Sequence, residues 1–190
     1  MPALDVVVVQ HTDCLAIGWR RIPQAMWATV ATHPDILSRI ENPRACYEVA
    51  AFDAFIRNPD RHTKNVTARR LDPTTAIYQL FVSDHDRALM PPGVTPATIA
   101  AFPGLDDPQY WIREPRLRAR INNAPDLRAA VRRVQDACSA PSIMDIVNST
   151  PDQWLSASEA QAVIDFLVDR SARLKAIVDE KARAVLPGLF

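Results

Sequence analysis

Four valines in a row occupy residues 6–9, a β-branched run, and Cys14, Leu15, Ala16, Ile17, Gly18 and Trp19 form a second apolar stretch after a polar break at residues 10–13. Residues 5–22 therefore read as strand, either a two-strand hairpin or one long bent strand. Pro23 opens a stretch of helical pattern that runs to about Ile40, and Asn42-Pro43 starts another, with proline suited to a first helical turn. In that second helix Cys46, Val49, Ala50, Phe52, Ala54, Phe55 and Ile56 make a broad apolar face, which predicts burial. Pro59 disfavours helical geometry at Asn58 and halts it. Residues 60–65 are then a polar loop. Residues 66–70 and 76–82 read as two strands joined by the turn-forming Asp72-Pro73-Thr74-Thr75.

From Thr95 onward the pattern is helical, over residues 95–102, 115–122, 126–138 and 142–148, with proline-bearing loops between. The last helix has the clearest signature. Ser156-Ala157-Ser158-Glu159 is a capping box, and Ala162, Ile164, Phe166, Leu167, Leu174, Ile177 and Val178 give a helical stripe behind it. The whole is α+β with helix dominating. A chain of 190 residues supports a single domain, with a strand segment over 1–22, a polar-loop and hairpin segment over 43–93 and a helical subdomain over 94–190.

Composition narrows the partners more than the fold. Hydrophobic residues make up 48% and charged residues 23%, ordinary for a folded globular chain. Lys plus Arg equals Asp plus Glu at 22 each, so no bulk field draws in nucleic acid or an anionic membrane. Positive charge is mostly arginine, with lysine only at Lys64, Lys175 and Lys181. Cys14, Cys46 and Cys138 are widely spaced and odd in number, which argues against a disulfide framework or structural zinc. The opening Met1-Pro2-Ala3-Leu4-Asp5 lacks a basic n-region, and no stretch reaches the ~20 apolar residues of a membrane span. The expectation is a cytosolic (cytoplasmic) protein.

Candidate chemistry gathers in the middle of the chain. Asn58-Pro59-Asp60-Arg61-His62-Thr63-Lys64-Asn65 is followed, past the expected hairpin, by Ser83-Asp84-His85-Asp86-Arg87-Ala88-Leu89. Phosphoryl transfer needs a carboxylate near the attacking hydroxyl and oxygen ligands that hold Mg²⁺ against the phosphates. A loop with Asp60 and Asn65, and a hairpin returning Asp84 beside it, would supply that set.

The first of these segments resembles the N-x-D-R-H-x-x-N catalytic loop of HipA-like and phosphoinositide-kinase-like proteins, and the second resembles their I-D-H-G-x-A-L metal-binding strand end. Pro151-Asp152-Gln153-Trp154-Leu155, and Leu167 with Arg170 and Leu174, are similar to the closing P-x-x-W-L and L-x-x-R-x-x-x-L helix of small HipA-like kinase domains. The resemblance spans roughly residues 44–178. It implies a kinase-like C-terminal lobe using ATP and Mg²⁺, with Asp60 as catalytic base and His62 supporting the transferred phosphate or bracing the loop. It further implies Asn58 and Lys64 on the cofactor side, and Asn65, Asp84 and Asp86 as metal ligands.

Departures from the family pattern shape the expectation. Residues 1–57 contain no lysine and only Gly18, where a kinase N-lobe has a strand lysine and a glycine-rich loop. The chain thus resembles a C-lobe whose N-lobe is missing or comes from another polypeptide. Arg20 or Arg21 would have to replace the missing cation, although guanidinium and ammonium differ at a phosphate. Asp86 stands where the family usually has glycine. Two function classes remain: an ATP-dependent phosphotransferase, or a kinase-like binding or regulatory module without catalysis. A protein partner or a second copy is expected on the N-terminal strand region, since uncovered strand edges and apolar patches are liabilities. A zinc triad of His62, His85 and Asp84 ranks below Mg²⁺ because no H-x-x-x-H spacing supports it. His11 and His33 lack spaced partners, and Trp19, Trp27 and Trp154 read as core. Arg113, Arg116, Arg118 and Arg120 beside Tyr110 and Trp111 form a basic cluster, most simply a solvated helix face, with a phosphate-rich partner as the minority reading.

Overall fold

A computed structural model describes residues 6–11, 14–19, 27–30, 32–33, 35–70, 72, 74–82, 85, 87–89, 95–101 and 106–190, with the backbone alone over 6–29. The chain is α+β and mostly helical. Strands β1 (Val6–His11) and β2 (Cys14–Trp19) make an antiparallel hairpin, Val6 opposite Trp19 and His11 opposite Cys14. The run of valines and the second apolar stretch are thus two strands, which decides between the two readings of that pattern.

A second sheet is built from β3 (Trp27–Thr29), β4 (Val66–Arg70) and β5 (Tyr78–Val82), all antiparallel with β4 in the centre. The helical stretch expected from Pro23 to Ile40 is overturned here. Trp27 pairs with Arg69 and Thr29 with Thr67, and Val30 extends the pairing by donating its N–H to the Val66 carbonyl (3.2 Å). Between Val30 and Ile40 the described residues form only a 3₁₀ turn, at Ile36–Ser38. Aromatic and β-branched residues suit a pleated surface, and the ladder bonds offered by β4 outweigh a weak helical periodicity. The expected hairpin forms between β4 and β5, with Val66 opposite Val82 and Arg70 opposite Tyr78.

Helix α1 (Ala45–Phe55) is the axis of the core. Nine of its eleven residues are buried, Asp53 among them, and it packs against α3 (Ala124–Ala137), α5 (Ala157–Val185) and β5. The short α2 (Pro115–Ala119) and α4 (Ala140–Asn148) complete the helical half, and the segment from Thr95 is a 3₁₀ helix at Pro96–Ala101. The capping box of α5 forms: Glu159 accepts the Ser156 backbone N–H at 2.9 Å. Two tryptophans exchange roles relative to the sequence reading. Trp154 is 45% exposed, whereas Trp111 is 2% exposed and its indole N–H donates to the Ala50 carbonyl at 2.9 Å. The side chains of Trp19 and Trp27 lie outside the described residues. Among the described residues no helix is long and apolar enough to cross a membrane.

Candidate functional site

The site begins where α1 ends. Arg57 sits in the left-handed region at φ 52° and the Asn58 N–H closes back on the Asp53 carbonyl (2.9 Å), a six-to-one closure that turns the chain out of the helix. Glycine is the usual residue in this conformation. Arg57 is held there by its own side chain, which donates to the Leu89 carbonyl (3.0 Å) and lies 4.4 Å from the Phe166 ring centroid. Leu89 in turn donates its N–H to the Ile56 carbonyl at 2.9 Å. The base of the loop and the segment after β5 are therefore tied together.

Asp53 organises the loop from beneath. Its carboxylate accepts Arg61 Nε and Nη2, both at 2.8 Å, and Asn58 Nδ2 at 3.0 Å, and neither partner of the ion pair has side-chain exposure. A carboxylate on the apolar face of a buried helix requires such a partner, because an isolated charge there is very costly. Arg61 then donates Nη1 to the Asn65 carbonyl (2.9 Å) and contacts His85 Nε2 (2.9 Å) through Nη2. One guanidinium joins helix, loop and the segment after β5.

Within the loop, Asn58 Oδ1 accepts the Asp60 N–H (3.0 Å) and Asn65 Nδ2 donates to the Asp60 carbonyl (2.9 Å). The backbone of Asp60 is bonded on both sides. Its carboxylate, 16% exposed, accepts no hydrogen bond among the described residues and faces His62 Nε2 at 3.7 Å, Arg87 Nε at 3.8 Å and Arg113 Nη1 at 3.7 Å. His62 Nδ1 accepts the Lys64 N–H (3.2 Å), capping the 3₁₀ turn Thr63–Asn65. A ring that accepts at Nδ1 holds its proton at Nε2, so its N–H is on the side of Asp60.

The sequence-predicted residues divide accordingly. Asp60, His62 and Asn65 come together. Asn58 is buried, its amide nitrogen donating to Asp53 of α1 and its amide oxygen accepting the Asp60 N–H, so it braces the loop. Lys64 is exposed and borders an open cavity with His62, Thr63 and Arg116. Asp84 and Asp86 lie outside the described residues, as do Arg20 and Arg21. Among the described residues no three His, Cys, Asp or Glu side chains are placed to hold a metal. Asn65 Nδ2 is committed to Asp60, which leaves Oδ1 as the atom able to ligate a cation. An amide oxygen is among the oxygen ligands that Mg²⁺ takes.

Sequence reasoning did not single out Asp53 or Glu114, and it gave Arg87 and Arg113 no role at Asp60. Glu114, 1% exposed, donates its N–H to the Arg61 carbonyl (2.9 Å) and accepts the Arg116 N–H (3.0 Å), seating α2 on the loop. An acid inside the apolar face of α1 was the available signal for Asp53. No local pattern places Arg113 or Glu114 at the loop, which they reach from about 50 residues away.

Behind the loop lies a second polar group. Arg170 donates Nε to the Phe55 carbonyl (2.8 Å) and Nη2 to the Ala54 carbonyl, satisfying the C-terminus of α1, and forms a fork with both Asp106 oxygens at 2.9 Å. Lys181 donates to the Asp106 carbonyl at 2.6 Å. Burial pushes Arg57 down to about 10, with Asp106 opposing and Arg170 adding to the shift. Burial likewise lowers Lys181, again against Asp106.

Compared with known proteins, the chain matches no family model, no curated protein and no solved structure.

Proposed function

We propose that this chain is the catalytic-loop-bearing lobe of a HipA-like phosphotransferase, which moves the γ-phosphoryl group of ATP to an acceptor hydroxyl. The observation that carries the reading is Asp60. Its backbone is fixed by Asn58 and Asn65, while its carboxylate accepts no hydrogen bond among the described residues and is partly open to solvent. That is the condition of a carboxylate ready to accept a proton.

Asp60 takes the proton from the acceptor hydroxyl as its oxygen attacks the γ-phosphorus, and ADP leaves with the bridging oxygen. His62 Nε2–H, Arg87 and Arg113 meet the charge that develops on the transferred group, acting electrostatically. Asn65 Oδ1, with Asp84 and Asp86, would hold Mg²⁺, which would draw charge from the phosphates. Arg61 and Asp53 keep Asp60 in place without touching substrate. A second chain is proposed to cover the β1–β2 hairpin, because a two-stranded sheet is marginal by itself and this one is separate from β3–β4–β5.

The test is Mg²⁺-dependent ATP turnover by the purified chain and by Asp60→Asn, each alone and with the chain that supplies the N-lobe. Removal of the base is expected to lower turnover by about 10²–10⁴-fold with the fold unchanged. Equal rates for the two proteins would refute the assignment. The second reading, a binding module without catalysis, is favoured by the lack of any lysine before Lys64. It predicts no turnover from either protein, alone or with its partner.

A further inference from the structure

The surroundings of Asp60 also bear on what the acceptor looks like. Three nitrogen groups face the carboxylate: His62, Arg87 and Arg113, at 3.7–3.8 Å. These separations are longer than hydrogen bonds, so the arginines stand near the acid without being clamped to it. Their side chains are 62% and 51% exposed, leaving most of each guanidinium fork open to a ligand.

The positive surface continues past His62. A wide, open depression is lined, among the described residues, by His62, Thr63, Lys64 and Arg116. Among the described residues the Lys64 ammonium makes no ion pair. Arg116, 46% exposed, holds the Val30 carbonyl at 3.3 Å and stands 3.9 Å from Glu114. His62 borders both regions: its Nε2 faces Asp60 and its ring forms part of the wall of the depression. In a chain with formal net charge of zero, such a cluster is local and not a bulk property.

Two permanent cations, Arg87 and Arg113, thus face the proposed base, and two more, Lys64 and Arg116, lie on the far side of His62. An acceptor with a basic flank would be repelled. One with a phosphate would find the Arg116 guanidinium, whose planar geometry matches its oxygens, and a lysine as a point charge. We infer that the acceptor is a small phosphomonoester whose phosphate sits among His62, Thr63, Lys64 and Arg116 while a neighbouring hydroxyl reaches Asp60. The inference rests on the phosphotransferase reading for the role of the hydroxyl. The phosphate seat stands on the charges alone. A free sugar phosphate and the headgroup of a phosphorylated lipid share this chemistry.

Binding is measured by calorimetry on the full chain without ATP or Mg²⁺, so catalysis is not required. The probes are glucose 6-phosphate, glucose, poly-glutamate, and phosphatidic acid in phosphatidylcholine vesicles. Glucose 6-phosphate is expected to bind and glucose not. Lys64→Ala is expected to weaken binding roughly tenfold, and Lys64→Ala with Arg116→Gln further, through loss of charge-assisted bonds. Asp60→Asn is expected to bind at least as tightly, because a negative charge has gone. Tighter binding of vesicles than of glucose 6-phosphate assigns the phosphate to a lipid, and the reverse to a soluble metabolite. Either agrees with the phosphomonoester seat. Binding neither phosphate probe, preferring poly-glutamate, or showing no response to Lys64→Ala (an exposed residue whose loss leaves the fold intact) overturns it. ATP turnover that depends on Asp60 without phosphomonoester binding defeats this inference alone. Phosphomonoester binding without any turnover defeats the phosphotransferase reading alone.

Discussion

Asp53 and Arg61 carry opposite charges with no side-chain exposure and are joined by two bonds of 2.8 Å. Arg61→Met leaves Asp53 charged and buried with only Asn58 to satisfy it, and is expected to cost about 3–5 kcal/mol in urea unfolding. Replacing both, Asp53→Leu with Arg61→Met, removes the orphaned charge and should recover a large part of that loss. It should not recover the proposed ATP turnover, because Asn65 and His85 lose the guanidinium that joins them to the loop. A single-variant cost below ~1 kcal/mol, the range of exposed ion pairs, would show that the pair does not brace the loop.

At the scale of elements, the decisive junction is α1 against α5. A helix ends with carbonyls that lack intrahelical partners, and for α1 two of these, Ala54 and Phe55, are met by Arg170 from the middle of α5. The same guanidinium holds Asp106, and so fixes the segment leading to the 3₁₀ turn at Pro108–Tyr110. Arg170→Lys is therefore not conservative: one ammonium cannot span two carbonyls and a carboxylate. Both Arg170→Lys and Arg170→Met are expected to lose about 2–4 kcal/mol by thermal unfolding, from unmet buried acceptors. Arg170→Lys with wild-type stability would mean that charge alone suffices.

For the whole molecule, the hairpin β1–β2 sets the sharpest physical problem. It forms its own sheet, and three or more strands or a packed helix are ordinarily needed for such a unit to be stable. The proposed occupant of its edge is a second chain. Sedimentation should give a mass above the 21.2 kDa of one chain, and Val8→Lys should return it to that value. A monomer whose mass Val8→Lys leaves unchanged counts against the interface.

Much of this architecture was legible in the sequence. Valine runs, the Asp72-Pro73-Thr74-Thr75 turn, the stop at Asn58-Pro59 and the capping box before α5 depend on near neighbours along the chain, and so their elements fall close to where periodicity and capping chemistry put them. The loop that carries Asp60 was also readable, because Asn58, Asp60, His62 and Asn65 lie close along the chain and bond to one another. Tertiary structure decided the rest. Only pairing with β4 makes Trp27–Thr29 a strand. Only the approach of the α2 segment sets Arg113 and Glu114 against the loop, and only the depth of α1 turns Asp53 from a surface acid into the anchor for Arg61. Burial and long-range charge belong to the folded arrangement: a residue's own neighbours along the chain carry the first and second bonds of a loop, while the partner of a buried charge is chosen by whichever element packs against it.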